Sequence, residues 1–145
     1  MVAKKKETIV KSESEVKEKK KRNIKSNKRR GSDYERQIAK ELREFGYDMV
    51  TSRSESKAMD DMKIDLIDKS NTFPAYCQIK RTIKYPNFIE IEKSCPLKDK
   101  EMILFWNVQR ATDSTFRSDG ELVIMNKKFF YELLNAYKHY KLITE

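Results

Sequence analysis

Apolar residues change their spacing several times along this chain, and each change marks an element. Tyr34, Ile38, Leu42 and Phe45 recur every three or four positions, which is the period of one helix face. Ser32 and Glu35 form a capping box that predicts the helix start, and Gly46 predicts its end. Residues 47–52 read as a first strand. Residues 53–61 are polar and serine-rich, and predict a loop. Residues 62–68 alternate as a second strand, 69–72 form a turn, and 73–81 give a third strand. Residues 87–93 are expected to be extended and 96–100 to make a short helical turn. The dense apolar run 101–109 is short enough for a buried strand, 111–120 is a polar loop, and 121–125 is a fifth strand. Asn126 caps a last helix, with Phe129, Phe130, Leu133, Leu134 and Tyr137 as its core face. The order αβββ(α)βα predicts an α/β fold with a mixed central sheet and helices packed on it.

Charge adds a second division. The chain has 145 residues and a formal net charge of +9. Up to Arg30 there are 13 Lys and Arg against 4 Asp and Glu, and the remainder holds 19 of each. All of the net charge therefore sits on residues 1–30. That segment has no hydrophobic period and is expected to be a disordered basic arm, followed by one domain over 31–145. A basic arm on a neutral domain suits a protein that holds a polyanion, with Arg29 and Arg30 as DNA contacts at its end. No run is long or apolar enough for a membrane span, and the N-terminus lacks the apolar core of a signal peptide. Cys77 and Cys95 have no metal-ligand spacing, and Cys77 is expected to be a buried free thiol in a reducing compartment. His139 is the only histidine, which argues against zinc chemistry.

The candidate chemistry lies on the second and third strands. Asp65 is expected to share a face with Lys63 and Ile67, while Gln78 and Lys80 share a face on the next strand. A short hairpin makes these strands neighbours, although the register that would set Asp65 beside Gln78 is not written in the sequence. Lys80 in an otherwise apolar strand is costly to bury unless it meets an anion. An acid, an amide oxygen and a lysine placed this way can hold Mg²⁺ and orient an attacking water. Gln78 supplies only a neutral oxygen, so the ion should bind weakly unless Glu35 brings charge from the helix start. Asp60 or Asp61 could enter from the loop, whereas Asp68 is expected to be solvated near a strand end.

Gly31 with Glu35 and Arg36, Gly46-Tyr47 at the helix end, Arg53-Ser54 before a serine-containing loop, Ile64-Asp65-Leu66, and Gln78 with Lys80 together resemble the archaeal-type Holliday-junction resolvases. Those belong to the PD-(D/E)xK nuclease superfamily. The resemblance covers residues 30–81, and the chain beyond Lys84 does not follow the pattern. It implies a restriction-endonuclease-like αβββαβ core. It further implies catalytic roles for Glu35, Asp65, Gln78 and Lys80, with Asp65, Gln78 and Glu35 as ligands of Mg²⁺ or, in its place, Mn²⁺. Gln78 stands where the family usually has an acid. Arg53 would contact the DNA backbone, and Ser54 or Ser56 would correspond to a loop serine near the scissile phosphate. A homodimer acting on branched DNA in recombination is implied as well.

The expected function is thus a Mg²⁺-dependent DNA endonuclease, a phosphodiester hydrolase acting on Holliday or other branched junctions. Two other functions are open from the residues: a weakly active or inactive DNA-binding protein on a nuclease fold, and a virion-associated DNA-binding protein. The lysine-rich, glycine-poor composition suits a bacteriophage or its host, with the cytoplasm, or the host cytoplasm, as the expected location.

Overall fold

The computed structural model describes residues 25–144. The disorder expected for the arm concerns residues 1–24, which lie outside the described residues. Residues 25–33, belonging to a first compact unit, are helical. The expectation of a disordered segment up to residue 30 and of a helix starting at Ser32 is therefore corrected. Lys25, Lys28, Arg29 and Arg30 are good helix formers, and one glycine at position 31 costs only about 1 kcal/mol in a helix. Gly31 and Ser32 thus lie within helical backbone and do not mark its start.

The second unit begins at Tyr34. Its first helix, α1, occupies residues 34–44. Tyr34, Ile38 and Ala39 bury one face of it, with Leu42 packed alongside. Gly46 ends the helix with φ +93°, in the left-handed region that glycine favours, and its N–H donates to the Arg43 carbonyl at 2.9 Å. Phe45 is exposed, contrary to the periodicity. Tyr47 completes the apolar face in its place, its ring edge-on to Phe73 with centroids 4.8 Å apart.

Five strands follow: β1 (Met49–Thr51), β2 (Leu66–Asp68), β3 (Ala75–Thr82), β4 (Glu101–Ala111) and β5 (Phe116–Met125). They form one mixed sheet in sequence order. β1, β2 and β3 pair antiparallel, β3 and β4 run parallel, and β5 returns antiparallel at the edge. The α/β class and the mixed sheet flanked by helices are as the pattern predicts.

Several elements differ from expectation, each for a local reason. Residues 53–61 form two short helices, α2 (Ser52–Glu55) and α3 (Lys57–Asp61), the second capped by the Ser56 hydroxyl accepting from the Met59 N–H. Lys63 adopts φ +65°, which interrupts the expected second strand and delays β2 to Leu66. Residues 88–94 are helix α4 (Phe88–Ser94), not extended, because the Asn87 side chain accepts from the Glu90 N–H. Phe88 and Ile91 then face the sheet beside Cys95. Residues 96–100 contain no helical turn. β5 starts at Phe116, inside the expected loop, because a turn closed by Thr112 and Thr115 sends the chain straight back along β4.

Asn126 caps the last helix, α5 (Lys127–Thr144), by accepting from the Phe129 N–H at 2.8 Å. Of the expected core face only Phe129 is buried; Phe130, Leu133, Leu134 and Tyr137 are exposed. The sheet surface over β3 and β4 is already covered, by α1 on one face and α4 on the other, which leaves the rest of the stripe without a place to pack.

Two apolar clusters hold the sheet. Met49, Leu66, Cys77, Ile79 and Ile103 meet α1, and Ile64, Met102, Leu104 and Trp106 meet α4. Burying a side chain of this size contributes roughly 1.5–3 kcal/mol. Both cysteines are free and buried, and burial pushes the Cys77 thiol far up. Among the described residues no helix is long and apolar enough to cross a membrane.

Candidate active site

The register left open by the sequence is settled by the pairing of Leu66 with Cys77. One step further along the antiparallel pair, Asp65 stands opposite Gln78, and the Asp65 N–H donates to the Cys77 carbonyl at 2.8 Å. Leu66 and Cys77 point toward α1. Asp65, Gln78 and Lys80 therefore lie on the opposite face, where Leu104 and Trp106 flank them on β4. Lys63, with its left-handed backbone, lies before β2 and outside the alternation expected of it.

Asp65 is nearly buried and held twice. Its Oδ2 accepts from the Ile79 N–H at 2.7 Å and from the Gln78 amide Nε2. Burial pushes its carboxyl up, opposed by the Ile79 hydrogen bond and the Lys80 charge. Gln78 is 2 % exposed, and with its nitrogen committed to Asp65 its Oε1 is buried without any hydrogen-bond partner. Such an orphan oxygen is uncommon inside a folded protein, since a buried acceptor left unpaired costs roughly 1–3 kcal/mol.

Glu35 comes to the same place from the second residue of α1. It is buried, and its Oε1 accepts from Arg53 Nη2 at 3.1 Å. Burial and the neighbouring Asp65 charge push its carboxyl up to about 6, with Arg53 opposing. Glu35 and Lys80 each lie near enough for their charges to act with that of Asp65, Gln78 touches Asp65 directly, and Arg53, half exposed, pairs with Glu35.

Arg53 also reaches Asp60 at 3.8 Å, and the Asp60 charge raises both Glu35 and Asp65. Asp60 therefore belongs to the cluster, and the short helices α2 and α3 deliver it. The buried Ser52 is a member that the sequence did not reveal. Its N–H donates to the Asp65 carbonyl at 2.8 Å and its hydroxyl to Asp60 at 3.4 Å. Its place between the apolar strand β1 and Arg53 is the signal that could have pointed to it. Ser54 and Ser56 serve their own backbone. The Ser54 hydroxyl donates to the Thr51 carbonyl at 2.7 Å, and Ser56 caps α3. Arg29 and Arg30 lie in the first unit.

Asp68 stays near the surface at the strand end, as its position suggests, but it is heavily hydrogen-bonded. Its two oxygens gather the Asp48, Ser70, Thr72 and Phe73 N–H groups and the Ser70 and Thr72 hydroxyls, all within 3.1 Å. Burial alone would push its carboxyl up, yet the Ser70, Phe73 and Thr72 hydrogen bonds outweigh that and hold it well below the usual range. It organises the β2–β3 turn, and through the turn the register of the site.

Chemically, the cluster offers the carboxylates of Glu35, Asp60 and Asp65, the unpartnered amide oxygen of Gln78 and the ammonium of Lys80. Asp65 and Gln78 suit a hard divalent cation, because their donors are oxygens and Oε1 is otherwise unused. Among the described residues, no three His, Cys, Asp or Glu side chains gather into a metal-binding group. No family model matches this chain, and searches of curated proteins and of solved structures return no match either.

Proposed function

We propose that this protein is a Mg²⁺-dependent DNA endonuclease of the PD-(D/E)xK kind, acting on branched DNA. The observation that carries this reading is the buried, unpartnered Oε1 of Gln78 beside Asp65, with Lys80 two residues on along the same face. The order of a helix, three antiparallel strands, a helix and a parallel strand also supports it, as that is the αβββαβ core the resemblance implies.

Asp65, Gln78 through Oε1, and Glu35 would hold the ion, which when bound supplies Lewis-acid stabilisation of the charge that builds on the phosphate. The chain's own residues do the rest. Lys80 donates to the attacking water, holds it in line with the leaving oxygen, and shares the negative charge of the crowded phosphorus. Arg53 holds Glu35 from the open side and presents its guanidinium to the DNA backbone. Asp68 keeps the hairpin in register, so that Asp65 and Gln78 face the same point.

A second reading, DNA binding without cleavage, is favoured by one observation: among the described residues, no three His, Cys, Asp or Glu side chains gather closely enough to hold a metal. The test is a cleavage assay with Mg²⁺ on linear, nicked and four-way DNA. Products that vanish with EDTA and in Lys80→Ala support the nuclease. Binding without products in Mg²⁺ and Mn²⁺ supports the second reading.

A further inference from the structure

Beside Lys80 the sheet carries an aromatic pair that the cluster does not use. Lys80 on β3 is in parallel register with Trp106 on β4, so the two side chains are neighbours on one face, about 4.8 Å apart along the sheet. Trp106 is almost buried, and its indole N–H donates to the Thr82 carbonyl at 3.2 Å and to the Thr82 hydroxyl at 3.1 Å. That hydroxyl donates in turn to the Lys84 carbonyl at 2.8 Å. The chain leaving β3 is thereby tied back over the sheet, and Tyr85 is set against Trp106 with ring centroids 5.6 Å apart at 82°. Tyr85 is nonetheless 62 % exposed.

We propose that Tyr85, propped on Trp106, is a stacking platform for one unpaired base of the nucleic-acid strand whose phosphate lies at Lys80. The inference rests on the nuclease reading and narrows its substrate to DNA with at least one unpaired nucleotide beside the scissile phosphate, as at a flap, a gap or a branch point. Three features favour a nucleobase as the occupant. Tyr85 follows basic residues that suit a phosphate backbone, with Lys84 next to it in the chain and Lys80 beside Trp106 on the sheet. Basic residues beside an exposed aromatic ring are the arrangement with which single strands are held. The ring is ordered beforehand by the Trp106–Thr82–Lys84 chain, so binding pays little side-chain entropy. A base within an intact duplex is stacked on its neighbours and cannot offer its face to Tyr85. The platform therefore discriminates between paired and unpaired strands without reading sequence.

Trp106 is the only tryptophan, so its emission reports on this spot. The full chain is titrated in EDTA with a thymidine oligonucleotide, with the same oligonucleotide carrying abasic linkers, and with a blunt hairpin duplex. The thymidine strand is expected to change Trp106 emission and to bind more tightly than the abasic strand. Tyr85→Ala should weaken its binding roughly 5- to 150-fold, the range of one base–aromatic stack. Tyr85→Phe should retain affinity, and duplex binding should change less than about twofold in either variant. Equal losses on single strand and duplex, no loss at all, or a Tyr85→Phe defect as large as that of Tyr85→Ala would overturn the proposal. Because no metal is present, binding is separated from chemistry. Tyr85-dependent binding with no Mg²⁺-dependent cleavage would remove the nuclease reading and leave the platform standing, and cleavage without Tyr85-dependent binding would do the reverse.

Discussion

Replacing Gln78 by Glu sets the two halves of the site against each other. The Gln78 amide now donates to Asp65, and Gln78→Glu turns that hydrogen bond into a contact between two buried carboxylates. Two unit charges about 4 Å apart repel by about 4 kcal/mol at an effective dielectric constant near 20. Proton uptake limits the cost, because burial already favours the neutral form of Asp65. In EDTA at pH 8 the variant should therefore be less stable by roughly 2–4 kcal/mol, lowering Tm by on the order of 10 °C. The gap should narrow toward pH 5, where one of the pair holds a proton. Saturating Mg²⁺ should invert the effect, since the ion now meets an added charge. Its affinity should rise at least tenfold, which corresponds to about 1.4 kcal/mol. Thermal denaturation with EDTA and with Mg²⁺, and calorimetric titration of Mg²⁺ into both proteins, measure each part. A variant as stable as the wild type in EDTA would show that the two side chains are not in contact. A variant destabilised equally with and without Mg²⁺ would show that Gln78 faces no ion, and the metal assignment would fail.

Lys80→Met, which keeps the length of the side chain and removes its charge, should lower single-turnover cleavage by at least about a hundredfold while leaving DNA binding within a few-fold; unchanged cleavage would take Lys80 out of the chemistry. Glu35 has its carboxyl raised from 4.5 to about 6, so the folded protein holds that proton more tightly than the unfolded chain does. Its contribution to stability is fully present below about pH 4.5 and is lost as pH rises through about 6. Denaturant melts in EDTA should show stability falling over that window, and Glu35→Gln should flatten the fall. Asp68 has the opposite sign: its contribution is present above the ordinary carboxylate range and is lost only in strong acid. Asp68→Asn should cost roughly 1–2 kcal/mol at neutral pH through weakened turn hydrogen bonds, measurable by urea melts, with cleavage falling as the hairpin loosens.

Where a segment buries a regular stripe, its sequence was readable. The run ending at Gln109 is β4, and Tyr34 with Ile38 is the inner face of α1. Readability failed where hydrogen bonds, not burial, choose the backbone. Asn87 turns a strand-like Phe88-Ile89-Glu90-Ile91 into a helix by capping it, and Ser56 does the same for α3. Arg117 to Glu121 carry no apolar signature because β5 is an edge strand, exposed on its open side. α5 misled in the other direction: its stripe is regular, yet after Phe129 it covers nothing. In the site, residue types pointed to Asp65, Gln78 and Lys80, whereas the register and the orphan oxygen required coordinates. Asp60 and Ser52 join only because α2 and α3 fold back across the cluster.

The β2–β3 turn and the β3–β4 connection differ greatly in the length of chain they close. Asp65 and Gln78 are 13 positions apart and joined by a tight turn that Asp68 organises, so their contact is local. The parallel partner of Lys80, Trp106, arrives only after α4 and the segment around it have been ordered. Loop closure must be met before such a pairing gains anything, which makes parallel pairing slow. The hairpin bearing the acid and the amide should therefore assemble ahead of the aromatic wall beside the lysine. Mutations in the 69–72 turn should slow folding, and mutations of Trp106 should chiefly speed unfolding. The single tryptophan makes the late step visible in stopped-flow fluorescence, where the lysine's surroundings would be seen to close last.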